Sequence, residues 1–282
     1  MNTAAIALDI DGTLTDHEKK ILPETKQALM KAQEAGIRLI LASGRPTSGL
    51  LEYARELEME KNHGLLVSFN GARVTDCQSG EILFDQAMSV EDGKAVLEHM
   101  KNFQVKPMLY RDNYMYVHDV YDCTVMHKGK PMNIIRYEAR NCNFLICEKE
   151  DLVEFADFPQ NKILTAGDDT YLQEHYKEMM EPFKDKLSCM FTADFYFEFT
   201  AKGIDKAKAL ETALPRIGCS PAKIMAFGDG QNDESMIRLA GIGVAMGNAV
   251  QSLKDCADAI TESNENNGIA EEIYRRIPEL VN

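Results

Sequence analysis

The sequence predicts an α/β fold: a doubly wound parallel-sheet core interrupted by a second, inserted domain. Three observations carry that prediction. Short uninterrupted apolar runs recur at residues 4–8, 37–42, 65–69, 223–227 and 243–246, as strands buried on both faces do. Helical patterns fill the gaps between them. From about residue 85 to 192 that texture gives way to tyrosine-rich alternation of apolar and polar residues, and it returns near residue 200.

Each element has a local reason. The run 4–8 ends at Asp9. A helix begins at Pro23, carries Ala28, Leu29, Ala32 and Ala35 on one side and stops at Gly36. The strand 37–42 (IRLILA) ends at Ser43, a helical stretch covers 50–57, and the strand 65–69 (LLVSF) runs into the turn pair Asn70-Gly71. In the middle third, 108–120 reads as an antiparallel pair with one exposed face, flanked by helices over 90–103 and 171–183. Residues 205–217 read as a helix, 223–227 as a strand ending at Gly228-Asp229, 234–240 as a helix and 243–246 as the last strand. The resulting domains are 1–84 with 193–282, and 85–192.

Composition narrows the classes. The 282 residues are 45% hydrophobic and 27% charged, which excludes wholesale disorder and collagen-like sequence. With 45 acidic and 31 basic side chains the formal charge is −14, a surface that repels nucleic acid and anionic membrane. No apolar run approaches the roughly 20 residues that cross a bilayer, and 1–8 lacks a cationic leader, so a cytoplasmic protein is expected. Seven cysteines, odd in number and without a CxxC pair, read as reduced thiols.

Four segments can carry chemistry. In Asp9-Ile10-Asp11-Gly12-Thr13-Leu14-Thr15, near-extended backbone would place the two carboxylates about 6.5 Å apart on one side, flanking a small anion, with Gly12 supplying the turn. Ser43-Gly44-Arg45 puts a hydroxyl and a glycine amide at a strand's carboxyl end, where they can hold a phosphoryl oxygen, although Ser-Gly is also ordinary turn chemistry. Lys206 stands in the first turn of a helix, against the dipole, and so calls for a compensating anion; the bland alternative is a solvated lysine behind an Asp205 cap. In Gly228-Asp229-Gly230-Gln231-Asn232-Asp233, two carboxylates and an amide suit a hard cation such as Mg²⁺, while Asp233 alone could cap a helix. The glycines of 241–247 have GxGxxxG spacing and read as strand and turn rather than a dinucleotide loop.

Position makes these signals reinforce one another. Asp9, Ser43 and Asp229 each follow a parallel strand, and ligands of open α/β sheets bind outside those carboxyl ends. Asp9, Asp11, Asp229 and Asp233 would crowd about four negative charges together, and a phosphate would add nearly two more. Lys206 alone cannot balance that, so Mg²⁺ dependence is expected.

Taken in order, DIDGTLT (9–15), LASGRP (41–46), FNGA (69–72), KGIDKAKAL (202–210), GDGQNDESM (228–236) and AMGNA (245–249) resemble the haloacid dehalogenase superfamily, specifically its Cof-type phosphatases of subfamily IIB. The resemblance implies a Rossmann-like core with an α/β cap inserted between the second and third motifs. By match, Asp9 resembles the nucleophile that becomes an aspartyl-phosphate and Asp11 the acid and base. Ser43, Gly44 and Asn232 resemble the phosphate-binding positions, with Ile10 beside them. Lys206 resembles the third-motif lysine, with Lys202 its competitor. Asp9, the Asp11 carbonyl and Asp229 resemble the metal ligands, and Asp233 supports them. For Asp11 to act as an acid at neutral pH its surroundings must favour the protonated form, with Asp9 and the substrate phosphate pushing that way.

The expected activity is Mg²⁺-dependent hydrolysis of a small-molecule phosphate ester, most plausibly a sugar phosphate, by a cap that closes over the site and keeps out bulk water and polymers. Rivals of the same chemistry are a phosphatase of nucleotide or cofactor phosphates, and a phosphomutase or phosphotransferase. A receiver-type binding protein shares acidic strand ends, a hydroxyl and a lysine, but not the large insertion. The cap residues Arg111, Asp112, His118, Arg136 and Arg140 are candidates for a substrate-facing surface, against the blander reading of solvated side chains.

Overall fold

The computed structural model describes residues 3–281. The chain forms two compact units, Met1–Asp85 with Asp205–Asn282, and Gln86–Ile204.

The first unit is built on an eight-stranded sheet. Across the sheet the strands run Ala259–Ile260, Ile242–Ala245, Ile224–Gly228, Ala5–Leu8, Arg38–Ala42, Leu65–Ser68, Arg73–Asp76 and Ile82–Asp85. The first six are parallel and the last two antiparallel. The central strands are buried along their whole length, which is why they read as unbroken apolar runs. From Ala5–Leu8 the chain winds to Arg38–Ala42 on one side and later returns to pair Ile224–Gly228 on the other. The direction of winding therefore reverses beside Ala5–Leu8, the place where such sheets open a crevice. One continuous core, from Ile6, Leu8, Leu41 and Phe227 out to Ile273, packs the helices Pro23–Glu34, Lys206–Ala213 and Gly268–Arg276 against this sheet.

Helix ends follow the sequence signals. Pro23 stands at the first position of its helix, and Gly36, at φ +84°, lies just past the end. The expected helix 205–217 is α-helical over Lys206–Ala213 and tightens to a 3₁₀ turn over Leu214–Ile217, as Pro215 removes a backbone donor.

The second unit holds a six-stranded mixed sheet in the order Leu145–Glu148, Tyr114–Val117, Lys106–Arg111, Ile163–Ala166, Tyr196–Ala201, Leu187–Ala193, with a separate hairpin Thr124–His127/Lys130–Asn133. The tyrosine-rich segment is the antiparallel pair that its alternation predicts, turning at Asp112 with φ +55°. Phe197, Phe199, Val96, Leu97, Met100 and Leu172 lie in its main core. The unit extends to residue 204 rather than 192. Tyr196–Ala201 is wholly buried and pairs on both edges, with Ile163–Ala166 and with Leu187–Ala193, so a boundary at 192/193 would cut the sheet. Arg111, Asp112, His118, Arg136 and Arg140 are exposed on this unit. Its buried polar groups are others: Tyr110 and Tyr196 donate to the two oxygens of Glu138, and Lys162 pairs with Glu198 at 3.3 Å.

Phe227, fully buried between the central strands' neighbours, tests the core directly. Phe227→Ala should lower unfolding stability by about 3–5 kcal/mol, read as a shift of the denaturant midpoint at unchanged slope.

Candidate active site

The site grows from the ends of three adjacent strands. Asp9 follows Ala5–Leu8, Ala42 ends Arg38–Ala42, and Asp233 lies one turn beyond Ile224–Gly228. Lys206 joins all three. Its Nζ donates to Asp9 Oδ1 at 2.7 Å, to the Ala42 carbonyl at 2.7 Å and to Asp233 Oδ1 at 2.6 Å. The ammonium is fully buried, all three of its N–H bonds are used, and its carboxylate neighbours hold its pKa above the ordinary lysine value despite burial. Asp205 caps the helix by accepting from the Lys208 N–H at 2.8 Å, so the lysine's place against the dipole is offset by two carboxylates. Lys202, the competing lysine, belongs to the second unit and donates to the Asp185 carbonyl at 3.0 Å.

The first motif differs from its expected extended form. The strand stops at Leu8 and residues 9–15 fold into a turn, with Leu14 N–H on the Asp9 carbonyl and Thr15 N–H on the Ile10 carbonyl. Gly12 makes the reversal at φ +85°, and a Cβ there would stand 2.4 Å from Asp229 Oδ2. The two carboxylates take different partners. Asp9 joins Lys206, whereas Asp11 is held by Arg45, which donates from Nε to Oδ2 and from Nη2 to Oδ1, both at 2.7 Å, and by Lys19 Nζ at 2.6 Å. The Ile10 side chain is fully buried and its carbonyl also accepts the Thr15 hydroxyl at 3.0 Å.

Arg45 and Lys19 add an influence on Asp11 opposite to that expected of Asp9 and a phosphate. Burial would raise its carboxyl, but the hydrogen bonds and charges of Arg45 and Lys19 outweigh that and hold it below the ordinary aspartate value. These partners favour the ionised form of Asp11 over its acid form.

The fourth motif is held by Asp233, whose Oδ2 accepts the N–H groups of Asp229 and Gly230 at 3.0 and 2.9 Å. Any Cβ at Gly228 would lie 2.5 Å from the Asp233 Cβ. Thr13 donates to Asp229 Oδ1 at 3.1 Å. Asp9, Asp229 and Asp233 bring one carboxylate oxygen each within 4.8 Å of one another. Asp233 is fully buried and already bonded through both oxygens, which leaves Asp9 and Asp229 as the side-chain ligands for a cation and Asp233 as their support. Their electrostatics fit that reading. Burial, with Asp233 nearby, pushes Asp229 up to about 6, and burial raises Asp9 even against the pull of Lys206. The cluster carries more negative charge than Lys206 neutralises, and a divalent cation could supply the difference.

The second motif meets this cluster through its backbone. Ser43, almost fully buried, accepts the Arg45 N–H on its Oγ at 3.2 Å, and its carbonyl accepts the Asn70 N–H at 3.0 Å. Phe69, Asn70 and Gly71 all have positive φ. This strained turn sets the Asn70 side chain 3.0 Å from where a Gly44 Cβ would be, and Asn70 Oδ1 accepts from Asn232 Nδ2 at 3.2 Å. Sequence reasoning did not single out Thr13, Lys19, Asn70, Asn248 or Asn264 as functional residues. Asn248 donates to the Gly12 carbonyl at 2.8 Å and accepts the Asn264 N–H, while Asn264 donates to the Thr15 carbonyl at 2.8 Å, so the two brace the first-motif turn. The AMGNA string was the only signal for Asn248.

Comparison with known proteins bears on this arrangement. A family model described as haloacid dehalogenase-like hydrolase matches residues 6–273. The pyridoxal phosphate phosphatase YbhA of Escherichia coli is 28% identical, over 98% of this chain and 100% of its own. The 5-amino-6-(5-phospho-D-ribitylamino)uracil phosphatase YcsE of Bacillus subtilis is 27% identical, over 95% and 93%. A crystal structure of a haloacid dehalogenase-like hydrolase from Bacteroides thetaiotaomicron superimposes with a TM-score of 0.90 at 33% identity, covering 98% of this chain and 100% of that one.

Two outcomes follow from the cluster. Lys206→Met leaves two buried carboxylates without their cation and should cost roughly 3–5 kcal/mol in denaturant unfolding. Asp229 and Asp9 have raised values in the folded protein, so their contribution to stability is present at low pH and is lost as pH rises through the folded values, about 6 for Asp229. Melting of metal-free protein should therefore shift downward between pH 5 and pH 7, and Asp229→Asn should flatten that slope.

Proposed function

The chain belongs to the haloacid dehalogenase-like hydrolase family, and on that premise we propose that it is a Mg²⁺-dependent phosphatase of small phosphorylated metabolites that works through an aspartyl-phosphate on Asp9. The observation that carries the reading is the buried Lys206 that ties Asp9 to Asp233 where three strands end. Such a carboxylate is fixed in orientation. With Oδ1 anchored on Lys206, Oδ2 is the atom that attacks phosphorus, and the leaving alkoxide departs in line.

Positioning and charge supply the rest of the catalysis. Ser43, the Gly44 amide and Asn232 receive the phosphoryl oxygens, and Lys206 neutralises the charge that gathers beside Asp9. Mg²⁺, held by Asp9, Asp229 and the Asp11 carbonyl, would supply the positive charge that lets a dianion approach this acidic cluster. Asp11 serves as the proton carrier. Ionised at rest, it is ready to take a proton from the water that cleaves the aspartyl-phosphate. It must gain a proton before it can serve the leaving group, and the charge of an arriving phosphate drives it that way.

Sugar phosphates and cofactor phosphates are the substrate classes proposed. Relatives named for pyridoxal phosphate and for a ribitylaminouracil phosphate support compact phosphate monoesters on a polar or heteroaromatic body. A cytoplasmic site of action accords with the seven free thiols, and no helix among the described residues is long and apolar enough to cross a membrane.

The test is phosphate release from a panel of sugar, nucleotide and cofactor phosphates, with Mg²⁺ or with chelator. Native protein should release phosphate only with the metal, and Asp9→Asn should lose on the order of 10³-fold or more in kcat. Release that persists in chelator, or in Asp9→Asn, would sink the proposal. Phosphate appearing on a second sugar instead of free in solution would establish the transferase alternative.

A further inference from the structure

Two cations outside the buried cluster converge on one carboxylate. The Arg45 guanidinium grips both oxygens of Asp11, and Lys19 adds a third bond to Oδ1. The Arg45 side chain is only 11% exposed although it extends from a strand-end loop. Its backbone N–H bonds Ser43 Oγ, and its carbonyl accepts the Phe69 N–H at 2.9 Å. The guanidinium stands 5.5 Å from the centre of the Tyr53 ring, whose hydroxyl donates to the Lys19 carbonyl at 3.3 Å. Lys19 is itself forced into place. It has φ +64° in a turn closed by Asp16, whose Oδ1 accepts the N–H groups of Glu18 and Lys20, both at 2.9 Å. One aromatic side chain therefore supports both cations, and a strained turn aims the second.

We propose that Arg45 and Lys19 are positioning residues that hold Asp11 as the base of the second, hydrolytic half of the reaction; this rests on the aspartyl-phosphate reading given above. In that half-reaction a solvent water forms a bond from its oxygen to phosphorus. The bond between phosphorus and the Asp9 oxygen breaks, its electron pair returning to the Asp9 carboxylate. One water proton passes to Asp11 and later to solvent, and inorganic phosphate leaves. A carboxylate gripped by a planar two-toothed fork cannot rotate away from that water, which an unpaired aspartate at a loop could do. Lysine cannot replace the fork, because it presents a single point of charge.

The experiment is rapid-mixing and steady-state hydrolysis of p-nitrophenyl phosphate beside a simple alkyl phosphate, for native protein, Arg45→Lys and Lys19→Met. A p-nitrophenolate leaving group needs no protonation, so formation of the aspartyl-phosphate is reported separately from its breakdown. In Arg45→Lys, kcat on p-nitrophenyl phosphate should fall about ten-fold or more, within the range of general base catalysis, with an initial burst approaching one p-nitrophenolate per chain. Lys19→Met, at a half-exposed side chain, should show the same burst with a fall of roughly three-fold. A merely structural role would slow both halves and give no burst. A fall in kcat without a burst in both variants, or a raised KM at unchanged kcat, would overturn the assignment while leaving the phosphatase reading intact. Absence of phosphate release by native protein from either ester would overturn both.

Discussion

The geometry of the site depends on the three hydrogen bonds of one buried ammonium. Lys206 links residues that are 197 and 27 positions away in sequence, and its third bond goes to the Ala42 carbonyl at the end of Arg38–Ala42, the strand on the other side of Ala5–Leu8 from Ile224–Gly228. The first, second and fourth motifs approach one another because parallel strands align their carboxyl ends. Burial gives the link its strength and its direction. In water each pair would be worth little, but here burial makes the shared ammonium hold Asp9 and Asp233 in fixed orientations.

Other features follow from that anchoring. With Oδ1 on Lys206, the Asp233 side chain has Oδ2 left for the Asp229 and Gly230 amides, so it sets the start of the fourth-motif turn. That turn brings Asp229 against the first-motif loop, and only a glycine at position 12 leaves room for its carboxylate. Thr13 then fixes one of the Asp229 oxygens. The acidic cluster is thus assembled through excess negative charge that one lysine does not cancel, the property that makes a small, hard cation the natural occupant.

Much of this was legible in the sequence, and for physical reasons. Strands buried on both faces must be apolar throughout, so Ala5–Leu8 and Ile224–Gly228 stand out in the sequence, and Asp9 and Asp229 stand out with them as the polar residues at their ends. The helix cap at Asp205 and the stop at Gly36 are local events with local signals. Less legible was anything decided by a turn. Periodicity extends the strand through Asp9 and Asp11, because it cannot register a turn closed by a single glycine at positive φ. Lys19, Asn70 and Asn264 lie in loops and act through contacts with distant segments, which no spacing rule encodes. The end of the inserted unit was missed similarly: Tyr196–Ala201 resembles a core strand in texture, and only its pairing partners assign it to the insertion.

Asp9 and Asp11 show how two identical side chains in one short loop come to differ. Asp9 is buried with other carboxylates and one lysine, so desolvation dominates and its ionised form is the costly one. Asp11 is partly exposed between an arginine and a lysine, so its ionised form is favoured even though burial works against it. A cation beside Asp9 would lower that cost, whereas Asp11 already has two cationic partners. The difference lies in the counter-ions: one buried lysine shared among several carboxylates leaves Asp9 short of positive charge, whereas Arg45 and Lys19 both serve Asp11.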